Sequence, residues 1–167
     1  MMSLVEQFIQ PILLCAIVTC GVMAGIFFTF SVFVMKALSL LPAHEGMAAM
    51  QSINEAILNP IFFLVFIGTP VMCMLAVVFA LSHWGASGSL PLLIGAVMYL
   101  LGCLLVTAVC NVPMNNALAA TSATNPDATS VWSEYLKTWT LWNHVRTMSS
   151  LAAFVLFVLA LQLRAAQ

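Results

Sequence analysis

Three groups of polar and aromatic residues stand at spacings that could build one binding site. Thr107, Asn111 and Asn115 recur at i, i+4 and i+8, so on a helix they line one face. Tyr135, Trp139, Trp142, Asn143 and Arg146 fall within roughly a 100° arc at 100° per residue. Asn54, Glu55 and Asn59 make a third polar corner. Amides donate and accept hydrogen bonds, an arginine carries a fixed positive charge, and indoles present flat apolar faces. Such a lining suits a flat aromatic ligand with oxygens at its rim. His144 lies about 100° round the helix from Asn143, so only a kink or a neighbouring helix would bring it to the same place.

Each group also has a plainer reading. Arg146 near a membrane edge can snorkel to headgroups. Trp132, Trp139 and Trp142 can form an ordinary aromatic belt. The asparagines can serve only to join helices. A metal site is disfavoured, because the three histidines form no carboxylate–histidine pair at helical spacing, although His44 and His144 could meet at one end of a bundle.

The elements that must position these residues follow from composition. Hydrophobic residues make up 63% of the chain, charged residues 5%, and the mean hydropathy is +1.12. Soluble domains carry roughly 25% charged residues. Lipid is the natural solvent for such a surface. A net charge of -1 excludes nucleic acid as a partner, since phosphate binding needs clustered Lys and Arg. Cys15, Cys20, Cys73, Cys103 and Cys110 all lie in apolar runs, are odd in number and form no CxxC. That excludes a disulfide framework, a zinc site and paired-thiol redox chemistry, and leaves cysteine as small apolar filler.

Uncharged runs predict an all-α, membrane-embedded four-helix bundle, one domain over residues 1–167, with spans at about 10–35, 60–82, 90–112 and 135–163. The third can continue to 118. The first run exceeds the h-region of a signal peptide, and its flank carries Glu6 but no Lys or Arg, so it reads as a span. Asn59-Pro60 opens the second span as an N-cap followed by Pro at the first helical position. Pro70 and Pro113 are candidate kinks. Between the first two spans, Met47, Met50 and Ile53 oppose His44, Gln51 and Glu55, the pattern of a short amphipathic helix lying in the interface. Residues 83–89 read as a tight turn, and 119–131, with Thr121, Ser122, Asn125, Pro126 and Asp127, as a polar loop.

Four spans put both termini on one side, side A, with the 83–89 turn. Side B holds the two longer connections. Lys36 and Lys137 on side B, against Arg164 on side A, place side B in the cytoplasm by the positive-inside rule. Arg146 is about 27 Å from Arg164 along the helix, and Asn111 about 30 Å from Pro91, at 1.5 Å per residue. The hydrocarbon core is about 30 Å thick. Both residues therefore belong to the side B edge, together with Asn54, Asn59, Asn115 and Asn143, and the polar groups concentrate at one mouth of the bundle.

Several segments carry a family resemblance: Gly21 to Val34 followed by MKALSLLP, then AAMQSINEAILNPIF, then TAVCNVPMNNALA and WSEYLKTWTLWNHVRTMSSLAA. NVPMNN and WNHVR are the specific elements. In these, nearly the whole chain resembles a family of small bacterial and fungal membrane proteins related to anthrone oxygenases, most without an assigned activity. The resemblance implies a four-helix protein of a bacterial inner membrane. In the enzymatic members it implies oxidation of an activated aromatic methylene to a ketone by O2, and the sequence carries no flavin, haem or nicotinamide motif, so no cofactor is expected. On that reading His144 is the candidate base, with Glu55 as the alternative. Arg146 stabilises an oxyanion. Asn54, Asn59, Asn111, Asn115 and Asn143 hydrogen-bond substrate oxygens, and Trp139 and Trp142 stack on the rings. The rival class is a non-catalytic membrane protein that binds a lipid or hydrophobic aromatic metabolite, or a subunit of an assembly, homo-oligomers included. So few charges leave little for ion-coupled transport.

Overall fold

The computed structural model of the protein describes residues 4–122 and 126–166, with side chains from residue 9 onward; Asn125 lies outside this set. Among the described residues every regular element is helical. The first span, α1, runs Leu4–Thr29, passes through a π-helical segment Phe30–Val34 and ends in Met35–Ser39. A short helix, α2, covers Ala43–Ala56. Then come α3, Pro60–Ser82, and α4, which begins as Ser89–Tyr99. It continues through π-helical Leu100–Leu105 and Thr107–Asn111 to Val112–Ala119. The last helix, α5, is Ala128–Ala165. Four of these are long and apolar enough to cross a membrane, so the chain is an integral membrane four-helix bundle.

Around the bundle the order is α1, α3, α4, α5, with α5 closing back on α1. Exposed Val18, Leu64, Val78, Val109 and Val155 coat the outside, as lipid-facing positions should. The interior is built from small residues and a few rings: Cys20, Met23, Cys73, Ala76, Ala96, Tyr99, Cys103, Ala153 and Phe157. Lipid gives helices no hydrophobic reason to associate, so close packing must hold them together. Two glycines of α4 supply it. A Cβ added at Gly95 would lie 3.0 Å from Phe157 Cε1, and one at Gly102 would lie 2.6 Å from Ser149 Cβ. All five cysteines are free.

Side A is closed by the turn between α3 and α4, where Gly88 has φ 81° and sits so close to α5 that a Cβ would be 2.7 Å from Ala160 O. Ser87 Oγ donates to Leu163 O, which ties that turn to the end of α5. Side B is closed differently from the expected interfacial helix. Met47 and Met50 of α2 are buried against Trp132, Tyr135 and Trp139 of α5, so the apolar face of α2 covers protein rather than lipid. Gln51 Nε2 donates to Leu118 O and Thr121 O, which ties α2 to the end of α4.

That packing explains where the observed limits depart from the expected spans. The second span coincides at Pro60–Ser82. The first continues to Ser39, the third to Ala119, and the fourth begins at Ala128 rather than near 135. At 38 residues, α5 is about 57 Å long against a hydrocarbon core of about 30 Å. Its first turns stand outside the core and are held by α2, a tertiary contact that a hydropathy run does not reveal.

Candidate functional site

A cavity of about 100 Å3 lies between the two apolar clusters, where all five helices meet near side B. Phe27 and Phe30 come from α1, Asn54 from α2, Phe62 and Phe66 from α3, Thr107 and Asn115 from α4, and Trp139 and Arg146 from α5. Two of its lining residues, Leu58 at 63% and Val112 at 41%, are exposed on the outer surface.

Arg146 is 5% exposed and faces protein. Its Nη2 donates to Asn143 Oδ1 at 2.7 Å and its Nη1 to Thr107 Oγ1 at 3.4 Å. Its guanidinium carbon lies 4.3 Å from the Phe27 ring centre and 5.0 Å from that of Trp139, so two π-faces attract the cation. Its Nε is buried with no hydrogen bond. Among the described residues no carboxylate comes within ion-pair distance of Arg146. Simple snorkelling does not describe a guanidinium so enclosed.

Asn143 is fully buried and holds Arg146 in place. Its Nδ2 donates to Phe27 O and to Ser31 Oγ, both at 2.7 Å. Thr147 Oγ1 donates to Asn143 O, so the Ser31 hydroxyl donates to Thr147 at 3.0 Å. Every hydrogen in this ring of bonds is thereby assigned, and α1 is bound to α5 at the level of the site. The Phe27 carbonyl that accepts from Asn143 stands just before the π-helical segment of α1. A side chain inserted into the backbone ladder is one known cause of such a distortion.

Asn115 organises the opposite wall. Its Oδ1 accepts from Tyr135 Oη at 2.8 Å and from Trp139 Nε1 at 2.7 Å. An indole N–H can only donate, which fixes the amide orientation and leaves Nδ2 as a donor at the cavity. Asn54 Nδ2 reaches Tyr135 Oη at 3.5 Å. Trp132, Tyr135 and Trp139 stack successively along α5, with centroid separations of 5.7 and 5.8 Å, and Phe30 leans on Trp139. On α4, Thr107–Asn111 is π-helical ahead of Pro113, whose nitrogen cannot donate into the ladder. π-Helical turns recur at functional sites, and here two of them flank one cavity.

The structure thus brings Asn54, Asn115, Trp139 and Arg146 to the cavity and sets Asn143 behind Arg146. Asn111 is 1% exposed beside it: Nδ2 donates to Trp139 O, while Oδ1 is buried without a partner. The remaining expectations need correction. His144 is exposed on the far side of α5, because that helix runs through without a break and no other helix covers that face. Trp142 lines no part of the cavity, since it falls at the edge of the arc and is only half-buried. Asn59 is spent on the cap of α3, where Oδ1 accepts from Phe62 N at 3.0 Å. Glu55 is exposed. Phe27, Phe30, Ser31 and Thr147 join the site unanticipated. Ser31 and Thr147 had no signal beyond a hydroxyl in an apolar run.

A wider open groove of about 550 Å3 lies between the side B ends of α4 and α5. Its carboxylate, Glu134, already accepts from Thr138 at 2.6 Å, and it lacks a buried cation, so the inner cavity is the better chemical site.

A family model described as anthrone oxygenase matches residues 62–156, more than half of the chain. The chain belongs to the anthrone oxygenase family. No curated protein and no solved structure matches it. The stretch shared with the anthrone oxygenase model contains Thr107, Asn111, Asn115, Trp139, Asn143 and Arg146. The α1 and α2 walls lie outside it.

Proposed function

We propose that the protein is an oxygenase of a bacterial inner membrane that converts an activated aromatic methylene to a ketone with O2, using no bound cofactor. The supporting observation is a buried, uncountered Arg146 in an aromatic cavity, in a chain of the anthrone oxygenase family. Loss of a proton from the methylene gives a carbanion whose charge is delocalised onto the ring oxygen. The carbanion adds O2 to form a hydroperoxide, and loss of water leaves the ketone, so one O2 is consumed per product. Arg146 is placed to stabilise the oxyanion and Asn115 Nδ2 to orient it. Phe27, Phe30 and Trp139 wall the ring. The open side beside Leu58 admits a lipophilic substrate from the bilayer edge.

The second reading is a non-catalytic binder of a lipid or an aromatic metabolite. What favours it is that no histidine or carboxylate lines the cavity to remove a proton. Oxygen uptake separates the two. With an anthrone, the purified, chelator-treated protein should consume one O2 per quinone formed, faster than protein-free micelles. Tight binding with uptake no faster than in those micelles would establish the binder instead.

A further inference from the structure

We propose that the cavity takes its ligand as a preformed anion, an aromatic oxyanion of the phenolate or enolate type, whose charge is the counter-ion that Arg146 lacks. The aromatic class of the ligand rests on the function proposed above, whereas its charge rests on the geometry alone.

A guanidinium stays protonated in proteins, so Arg146 brings a full positive charge into the bundle. Its hydrogen-bond partners, Asn143 and Thr107, are neutral, and Nε has none. Intramembrane charges are normally paired, and an unpaired one is costly. The two aromatic rings offset part of that cost and leave the net charge unchanged. The rest of the lining is biased the same way. The acceptor oxygens of Asn115 and Asn143 are already engaged, so the free polar capacity near Arg146 consists of N–H donors: its own guanidinium and Asn115 Nδ2. Two amide oxygens are left over, that of Asn54, farther out, and that of Asn111, which is buried beside the cavity but forms no part of its lining. A lining of donors around a fixed cation selects an oxygen carrying negative charge.

The protein offers no group to make that charge. The lining contributed by α1, α2 and α3 contains no His, Asp, Glu or Lys. The titratable groups that act on Arg146 are the Cys103 thiol of α4 and the Tyr135 phenol of α5, and Tyr135 already donates to Asn115. His144 and Glu55 are turned outward. The proton is therefore lost by the ligand itself, to water at the side B edge, before or during entry. The fit is shallow as well. At about 100 Å3 the cavity is smaller than the ~150 Å3 space that admits benzene. It seats the oxygen-bearing edge of one ring, and further rings extend into the mouth beside Leu58 and Phe66.

The test uses three single-ring probes on the purified protein in mild detergent: a nitrophenol that ionises near neutrality, an alkylphenol that ionises near 10 as tyrosine does, and the methyl ether of the nitrophenol. Quenching of tryptophan fluorescence gives their affinities between about pH 5.5 and 8.5. Nitrophenol affinity should rise tenfold per pH unit up to the probe's own ionisation and then level. At pH 7 the alkylphenol should bind several hundredfold to a thousandfold more weakly, and the methyl ether should show no pH dependence. Asn143→Asp, which gives Arg146 an internal counter-charge, should cut nitrophenolate affinity at least tenfold. If that variant does not fold, the wild-type profiles decide by themselves. Equal affinity for the nitrophenol and its ether, a midpoint common to two phenols of different acidity, or no binding of any probe overturns the proposal. Oxidation of an anthrone without anion preference would sink this inference alone, and anion preference without oxidation would sink the oxygenase reading alone.

Discussion

Replacing Asn143 by Leu removes three hydrogen bonds while keeping the same four-atom branched shape of the side chain. The bond from Arg146 Nη2 involves a charge and is worth about 1.5–3 kcal/mol. The two from Nδ2, to Phe27 O and Ser31 Oγ, are neutral and interhelical, and such bonds in membranes average about 0.6 kcal/mol each. The sum is a loss of about 3–4 kcal/mol, concentrated at the α1–α5 seam. Asn116→Leu is the control, since Asn116 is an exposed amide of the same composition, and its cost should stay within about 0.5 kcal/mol. Reversible unfolding in mixed micelles, or steric trapping of the two helices in bicelles, measures the difference. A loss below about 1 kcal/mol for Asn143→Leu would show that Arg146 and the α1 carbonyl find other partners, and the ordered ring of bonds behind the cavity would be refuted.

Asn59→Ala should cost about 1 kcal/mol of stability through the lost α3 cap, with oxidation or ligand affinity unchanged; a selective loss of affinity would return Asn59 to the site. His144→Ala should leave kcat/KM within about twofold of wild type, because the ring is exposed away from the cavity; a fall of a hundredfold, typical of a lost general base, would contradict that placement. In a background without native cysteines, an impermeant maleimide should label Ser87→Cys and Ala166→Cys from one face of the membrane and Thr129→Cys from the other, with Thr129 cytoplasmic; labelling of Ser87→Cys and Thr129→Cys from one face would break the four-span topology.

The spans were legible because lipid imposes a simple rule: an uncharged run of sufficient length must cross. Pro60–Ser82, bounded by an asparagine cap and a polar turn, could be read to the residue. The polar layer at side B was legible for a related reason. Buried amides in a membrane need partners, so the faces of Asn111–Asn115 and Asn143–Arg146 had to turn inward. Asn59 could be read as the cap of α3 from the proline that follows it, and the structure agrees. What the inner amides do was not legible: Asn143 and Asn115 are one residue type, yet one holds an arginine and the other presents a donor to the cavity. Only the partners across the bundle, Phe27, Ser31, Tyr135 and Trp139, separate these roles, and they are distant in sequence. The π-helical turns left no readable signal in α1, and in α4 only Pro113 hinted at a break. The early start of α5 followed from Met47 and Met50 docking on Trp132, which a polar loop reading of 119–131 concealed.

The central claim is that Arg146 stabilises the oxyanion formed when O2 oxidises a bound aromatic methylene. It is tested most directly by single-turnover oxidation of an anthrone under 18O2. The chelator-treated wild type should be compared with Arg146→Leu in identical micelles, both first shown to be folded. The account predicts one 18O in the new ketone and a rate lower by about 10²–10³ in Arg146→Leu, the usual loss when an oxyanion donor is removed. Equal rates for the two proteins, or a wild-type rate no higher than that of empty micelles, would contradict it.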